Sequence, residues 1–184
     1  MAEASAAPTQ RPGRTDPVRA NRNLGLSIAL VVLLLDQLAK WLITDVVRLH
    51  DRPFGQLDLL PIFRLDWVEN HGVSMGVLTA NSALQRWLLV GLTAAIAIFV
   101  LAWLWREKRR DDTIALGLVL GGALGNILDR VRLGYVVDFL DLHFGDVRPF
   151  LVFNLGDAAI TIGVLLLLLR ALLTRERKPP REKV

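Results

Sequence analysis

Four groups of polar residues sit within or beside apolar stretches of this chain, and their spacing suits acid–base chemistry. Asp36 and Lys40 are four residues apart, which places them on one face of a helix. Asn126, Asp129 and Arg130 close a stretch marked by Gly117, Gly121, Gly122 and Gly125, with Asn126 and Arg130 on the same helical face as Gly122. Asp138 interrupts the apolar run from Tyr135 to Leu140, and Asn154 precedes Asp157 at the start of another apolar stretch. Singly, each has an ordinary explanation. Asp36 and Lys40 read equally as a self-neutralising pair with Lys40 snorkelling outward or as support for a site. The glycines make a packing ridge, Asp138 a solvated loop acid, and Asp157 a helix cap. Together they read differently. An ionisable side chain at membrane depth costs about +2.5 kcal/mol or more, so several gathered at one level need a joint reason. Two carboxylates in a low dielectric do not both ionise readily; one can take a proton from water while the other donates to a carbonyl oxygen.

Other chemistries have weaker support. Ser74 lies three residues after His71, but no third orienting group is evident, and a Ser–Lys pair would need Lys40 to reach it. The chain has no Cys, which excludes disulfides, thiolate metal sites and a Cys nucleophile. His50, His71 and His143 are scattered, and Lys40 and Arg130 beside the acids argue against a carboxylate-held metal; no metal and no cofactor is expected. On residue physics alone the site is a membrane carboxylate site for hydrolysis or proton transport. A non-catalytic scaffold would explain the glycine ridge but not two matched acids.

The elements that must position these residues are membrane helices. The 184 residues are 53% hydrophobic and 22% charged, with a net charge of +4 and a mean hydropathy of +0.41. The charges are segregated, leaving four apolar spans at about 24–43, 84–105, 113–128 and 155–173. Residues 1–23 are rich in Pro and Arg and read as a disordered basic tail, and residues 175–184 as a second basic tail. The first span exceeds the apolar core of a signal peptide, and no small-x-small site follows it, so it reads as a retained helix. Alternation from Ile62 to Asn70 predicts a short strand, ended by the turn signal His71-Gly72. Lys and Arg gather in both tails and in the link 106–112, which predicts cytoplasmic termini and outward-facing loops at 44–81 and 129–154. The basic excess lies beside apolar spans, matching anionic lipid headgroups and not nucleic acid.

Several blocks closely resemble the bacterial lipoprotein signal peptidase (type II signal peptidase) family. They are Leu35-Asp36-Gln37-Leu38-Ala39-Lys40, Glu69-Asn70-His71-Gly72, the block from Gly121 to Arg130, Gly134-Tyr135-Val136-Val137-Asp138-Phe139, and Phe153-Asn154-Leu155-Gly156-Asp157-Ala158. The resemblance implies an all-α membrane protein: four transmembrane helices in a domain spanning 24–174, with a small outer β-cradle and a short outer helical segment. It implies an aspartic endopeptidase of the bacterial inner membrane that cuts a prolipoprotein just before its diacylglyceryl-modified Cys. Asp138 and Asp157 match the catalytic pair. Asp36, Lys40, Asn70, Gly122, Asn126, Asp129, Arg130 and Asn154 match supporting positions, with Asn126 and Arg130 expected to hold substrate carbonyls. Membrane lipids and globomycin-type inhibitors are the further partners implied. Two departures, Val73-Ser74-Met75 after Gly72 and Gly156 before Asp157, bear on substrate preference.

Overall fold

A computed structural model describes residues 17–72, 83–145 and 147–175. Four long helices, α1 (Pro17–Trp41), α2 (Ala83–Arg106), α3 (Arg110–Arg132) and α4 (Leu155–Arg175), are joined to a small sheet. Each helix is long and apolar enough to cross a membrane, which makes this a multi-pass membrane protein.

α3 is the central helix and packs against the other three. Its glycines allow this. A Cβ at Gly117 would lie 2.6 Å from the Gly25 carbonyl oxygen of α1, and one at Gly121 would lie 2.5 Å from that of Ala29. The α1 and α3 backbones therefore pack at a separation that any larger residue would prevent. Ala29, Leu104, Leu116 and Leu120 fill the space between α1, α2 and α3, while residues such as Leu34, Leu92 and Leu165 face outward from the bundle. Asp111 and Asp112 in the first turn of α3, and Arg130 and Arg132 in its last, each match the sign of the helix dipole at that end.

α1 begins at Pro17, earlier than the tail expected to run to residue 23. Pro is favoured in the first turn of a helix, where its missing N–H costs nothing. Two contacts hold the added turn: Asn21 Nδ2 donates to the carbonyl of Lys108, in the link after α2, at 2.7 Å, and the Arg22 guanidinium lies 4.4 Å from the ring centroid of Trp105, at the end of α2. α3 likewise extends past both expected ends, because its charged first and last turns suit the helix dipole although they break the apolar run.

At one end of the bundle β1 (Gln56–Leu60), β2 (Phe63–Asn70) and β3 (Val136–Leu142) form an antiparallel sheet in that order. Short helical turns at Leu42–Val46, Leu49–Asp51 and Pro53–Gly55 lead from α1 into it. Ile43, Leu49, Leu65, Val137 and Phe139 form a second small core that fixes the sheet to the end of α1. The strand expected at Ile62 to Asn70 is β2. Gly72, two residues past β2, takes a φ of 95°, a conformation that favours glycine.

Candidate active site

Asp138 lies on β3 and is 1% exposed, so it is no solvated loop acid. Its Oδ1 accepts from Asn154 Nδ2 at 2.6 Å and its Oδ2 from Asn70 Nδ2 at 2.9 Å. Burial pushes its pKa up to about 6; the Asn70 and Asn154 donors and Lys40 oppose that shift, and the nearby Asp157 adds to it.

Asp157 is in the first turn of α4. Asn154 caps that helix: its Oδ1 accepts the Asp157 backbone N–H at 2.9 Å, while Asp157 Oδ2 accepts the Asn154 N–H at 3.3 Å. This is a reciprocal capping box with Asn and Asp in its two roles. Capping therefore engages one oxygen of Asp157 and leaves the second for another partner. Its other oxygen, Oδ1, accepts from Asn126 Nδ2 at 2.7 Å. Asn154 therefore joins the two acids, bonding Asp138 with its amide and Asp157 through the cap.

Beneath the pair lies a buried ionic layer. Lys40 Nζ is 2.7 Å from Asp36 Oδ2 and 2.8 Å from Asp129 Oδ2, and the Lys40 side chain is only 5% exposed. It turns inward and does not snorkel. It also donates to Asn126 Oδ1 at 3.2 Å, an oxygen that accepts from Asn154 Nδ2 as well. Asp36 Oδ1 accepts the Gly156 N–H at 2.9 Å, and Asp129 Oδ2 accepts the Val137 N–H at 3.2 Å. The layer is therefore bonded to the chain directly before each acid of the pair. Asn126 and Asn154 transmit its geometry upward, since each is bonded on both sides.

Gly122 contributes by having no side chain. A Cβ there would collide with the Gly156 carbonyl oxygen and would lie 2.9 Å from Ile160 Cγ1. It lets α4 carry Asp157 close to α3. Arg130 is half-buried in the field of Asp157, Asp138 and Asp129, and its Nε is buried without a hydrogen-bond partner among the described residues. Asn126, expected to hold a substrate carbonyl, has its amide on Asp157 and its oxygen on Lys40 and Asn154. Arg130, by contrast, keeps a donor without a partner among the described residues.

Gln37 and Gly125, to which the sequence assigns no part in the site, also belong to the network. Gln37 Nε2 donates to Asp129 Oδ1 at 2.9 Å, to Asp36 Oδ2 at 3.3 Å and to the Gly125 carbonyl at 3.4 Å. Gly125 gives Asp36 its space, since a Cβ there would meet the carboxylate. His71 stacks edge-on with Tyr135, and Ser74 lies outside the described residues. Among the described residues, no group of three or more His, Asp or Glu could hold a metal ion.

The chain is similar to known proteins in sequence and in fold. The model of the family described as signal peptidase (SPase) II matches residues 28–173. A protein of Rhizorhabdus wittichii named lipoprotein signal peptidase is 61% identical over 164 residues, covering 89% of this chain and 94% of that one. A protein of the same name from Sphingopyxis alaskensis is 54% identical over 153 residues, covering 83% and 87%. A solved structure described as a bacterial membrane enzyme superposes with a TM-score of 0.72 at 26% identity, covering 88% of this chain and 95% of that one. A second, similarly described, gives 0.70 at 27%, covering 82% and 93%. This four-helix chain, with its polar network under a three-stranded sheet, belongs to the signal peptidase II family.

Proposed function

We propose that this protein is an aspartic endopeptidase that removes the signal peptide from prolipoproteins, cutting just before a Cys that carries a diacylglyceryl group. The observation that carries this reading is the convergence of Asp138 and Asp157 on Asn154, with Asp138 buried and its pKa raised to about 6.

The two acids have different surroundings, and these suit different roles. Asp157 sits in the first turn of α4, with one oxygen on the Asn154 N–H and the other on the Asn126 amide. Asp138 is almost fully buried, which favours the protonated form. In this reading the Asp157 carboxylate takes a proton from a water molecule as that water attacks the scissile carbonyl. Asp138 gives its proton to the carbonyl oxygen, and the pair then returns a proton to the departing amine. Arg130 donates to a substrate carbonyl. Asp36, Lys40 and Asp129 set the height and direction of both acids, while Asn70, Asn126 and Asn154 hold their oxygens. Gly122 keeps α3 and α4 in contact.

The protein resides in the bacterial inner membrane with both termini in the cytoplasm and the acids at the outer face, as the Lys and Arg distribution argues. The lipid chains of the substrate then hold its cleavage site at the level of the dyad. Globomycin-type inhibitors occupy the same site. The test uses purified protein in detergent with one prolipoprotein prepared with and without its diacylglyceryl group. Gel mobility and product mass should show cleavage of the lipidated form only, directly before the modified Cys. Equal cleavage of the unlipidated form, or a cut elsewhere, overturns the assignment.

A further inference from the structure

The sheet carries a second buried charge cluster that takes no part in the chemistry above. Asp141, on β3, is fully buried. Its Oδ2 accepts from Arg64 Nε at 2.8 Å and lies 3.6 Å from Arg148 Nη2 and 3.7 Å from His143 Nδ1. The Arg64 guanidinium forks, its Nη2 donating to Asp66 Oδ2 at 3.2 Å. That oxygen also accepts from Gln56 Nε2 at 3.3 Å and lies 3.9 Å from Arg148 Nη2. Among the described residues, no hydrogen bond joins this cluster to the dyad network. Asp138 and Asp141, three apart on one strand, point to opposite faces of the sheet.

What connects the two faces is register. Arg64 pairs with Asp141 and Leu65 with Leu140, but beyond them Val68 pairs with Asp138 and Asn70 with Val136. Asp66 and Trp67 together therefore oppose the single residue Phe139, which is a β-bulge. Without it, Val136 would pair with Glu69, and the Asn70 side chain would turn to the face away from Asp138. The residue held in the bulge is Asp66, and the group that holds it to β3 is Arg64.

We propose that Arg64 and Asp141 are positioning residues for the dyad: their ion pair on the far face of the sheet fixes the bulge at Asp66 that places the Asn70 amide on Asp138. This rests on the reading of Asp138 and Asp157 as the catalytic pair. Arg64→Lys keeps the charge that compensates buried Asp141, so the chain folds, but one ammonium cannot fork between two carboxylates as a guanidinium does.

The test measures kcat and KM on a lipidated prolipoprotein for the full chain, Arg64→Lys, Asn70→Ala and their combination, with thermal unfolding confirming that each is folded. Arg64→Lys should lower kcat about 10-fold or more and leave KM within about twofold, since the cluster faces away from the site. Added to Asn70→Ala, it should cost nothing further, because both changes remove the same bond. Asp66→Asn, at the bulge itself, should behave like Arg64→Lys. Full kcat in both variants, or losses that multiply with that of Asn70→Ala, would overturn the proposal. Wild-type turnover by Asp138→Asn would show instead that the dyad reading has failed and this inference with it.

Discussion

Replacing Asp138 by Asn should make the protein more stable at neutral pH while removing its activity, and the gain should vanish in acid. A carboxyl whose pKa is about 6 when folded and about 3.9 when unfolded holds its proton more tightly in the folded chain. Folding stability is then highest below about pH 4, falls as pH rises, and levels off above about 6. A shift of roughly 2 units amounts to about 3 kcal/mol in full, of which about 2 kcal/mol falls between pH 4 and 7. Asn cannot ionise, so its stability lacks this slope. It does lose one acceptor, because both Asn70 and Asn154 donate to Asp138. That loss costs about 1 kcal/mol at every pH, and therefore moves the offset between the two proteins without changing its slope. Thermal unfolding of both proteins in one detergent from pH 4 to 8 reads the difference directly. For a chain of this size, the melting-temperature gap should widen in favour of the variant by roughly 4–8 °C from pH 4 to 7. A gap independent of pH would refute the argument that burial has raised the pKa of this acid.

The remaining expectations concern the same network. If Asp138 must hold its proton to act, kcat/KM should fall above about pH 6, approaching tenfold per unit; a rate still rising from pH 6 to 8 would reverse the roles given to the two acids. Lys40→Met leaves Asp36 and Asp129 buried without their ammonium, and should cost about 3–5 kcal/mol, seen as loss of folded protein in detergent. Gly122→Ala puts a methyl against the Gly156 carbonyl, so both turnover and melting temperature should drop, whereas Gly91→Ala, which meets nothing within 4 Å, should leave both unchanged. A reporter fused after Arg110 should give a cytoplasmic signal, and an external signal there would invert the orientation.

How far the site could be read from the chain depends on what each environment charges for a polar group. Asp36, Lys40, Asp129 and Asp157 stood out because a charge among apolar residues is costly enough to need a reason. Gln37 bears the same load between Asp36 and Asp129, but a neutral amide near a helix end is common and raises no flag. Gly125 was visible only as one of a packing series, since the atom it makes room for is the Asp36 carboxylate rather than a backbone. The cluster of Arg64, Asp66 and Asp141 was invisible for the opposite reason: charges between spans are ordinarily solvated, and only the folded sheet shows Asp141 fully buried. The bulge that ties that cluster to Asn70 is likewise a matter of pairing, which alternation within one strand does not encode. The four helices were legible from hydropathy, but their ends were not. α3 continues at its start into Asp111 and Asp112, which suit the dipole, and α1 into a turn that Arg22 holds against the Trp105 ring.

The central claim is that Asp138 and Asp157 together perform the cleavage. Its most direct test is the turnover of a lipidated prolipoprotein by Asp138→Asn and by Asp157→Asn, each shown to be folded by its thermal transition in the same detergent. Each change should lower kcat by about 10²–10⁴-fold, with the protein still folded. Turnover at the wild-type rate by either folded variant would contradict it.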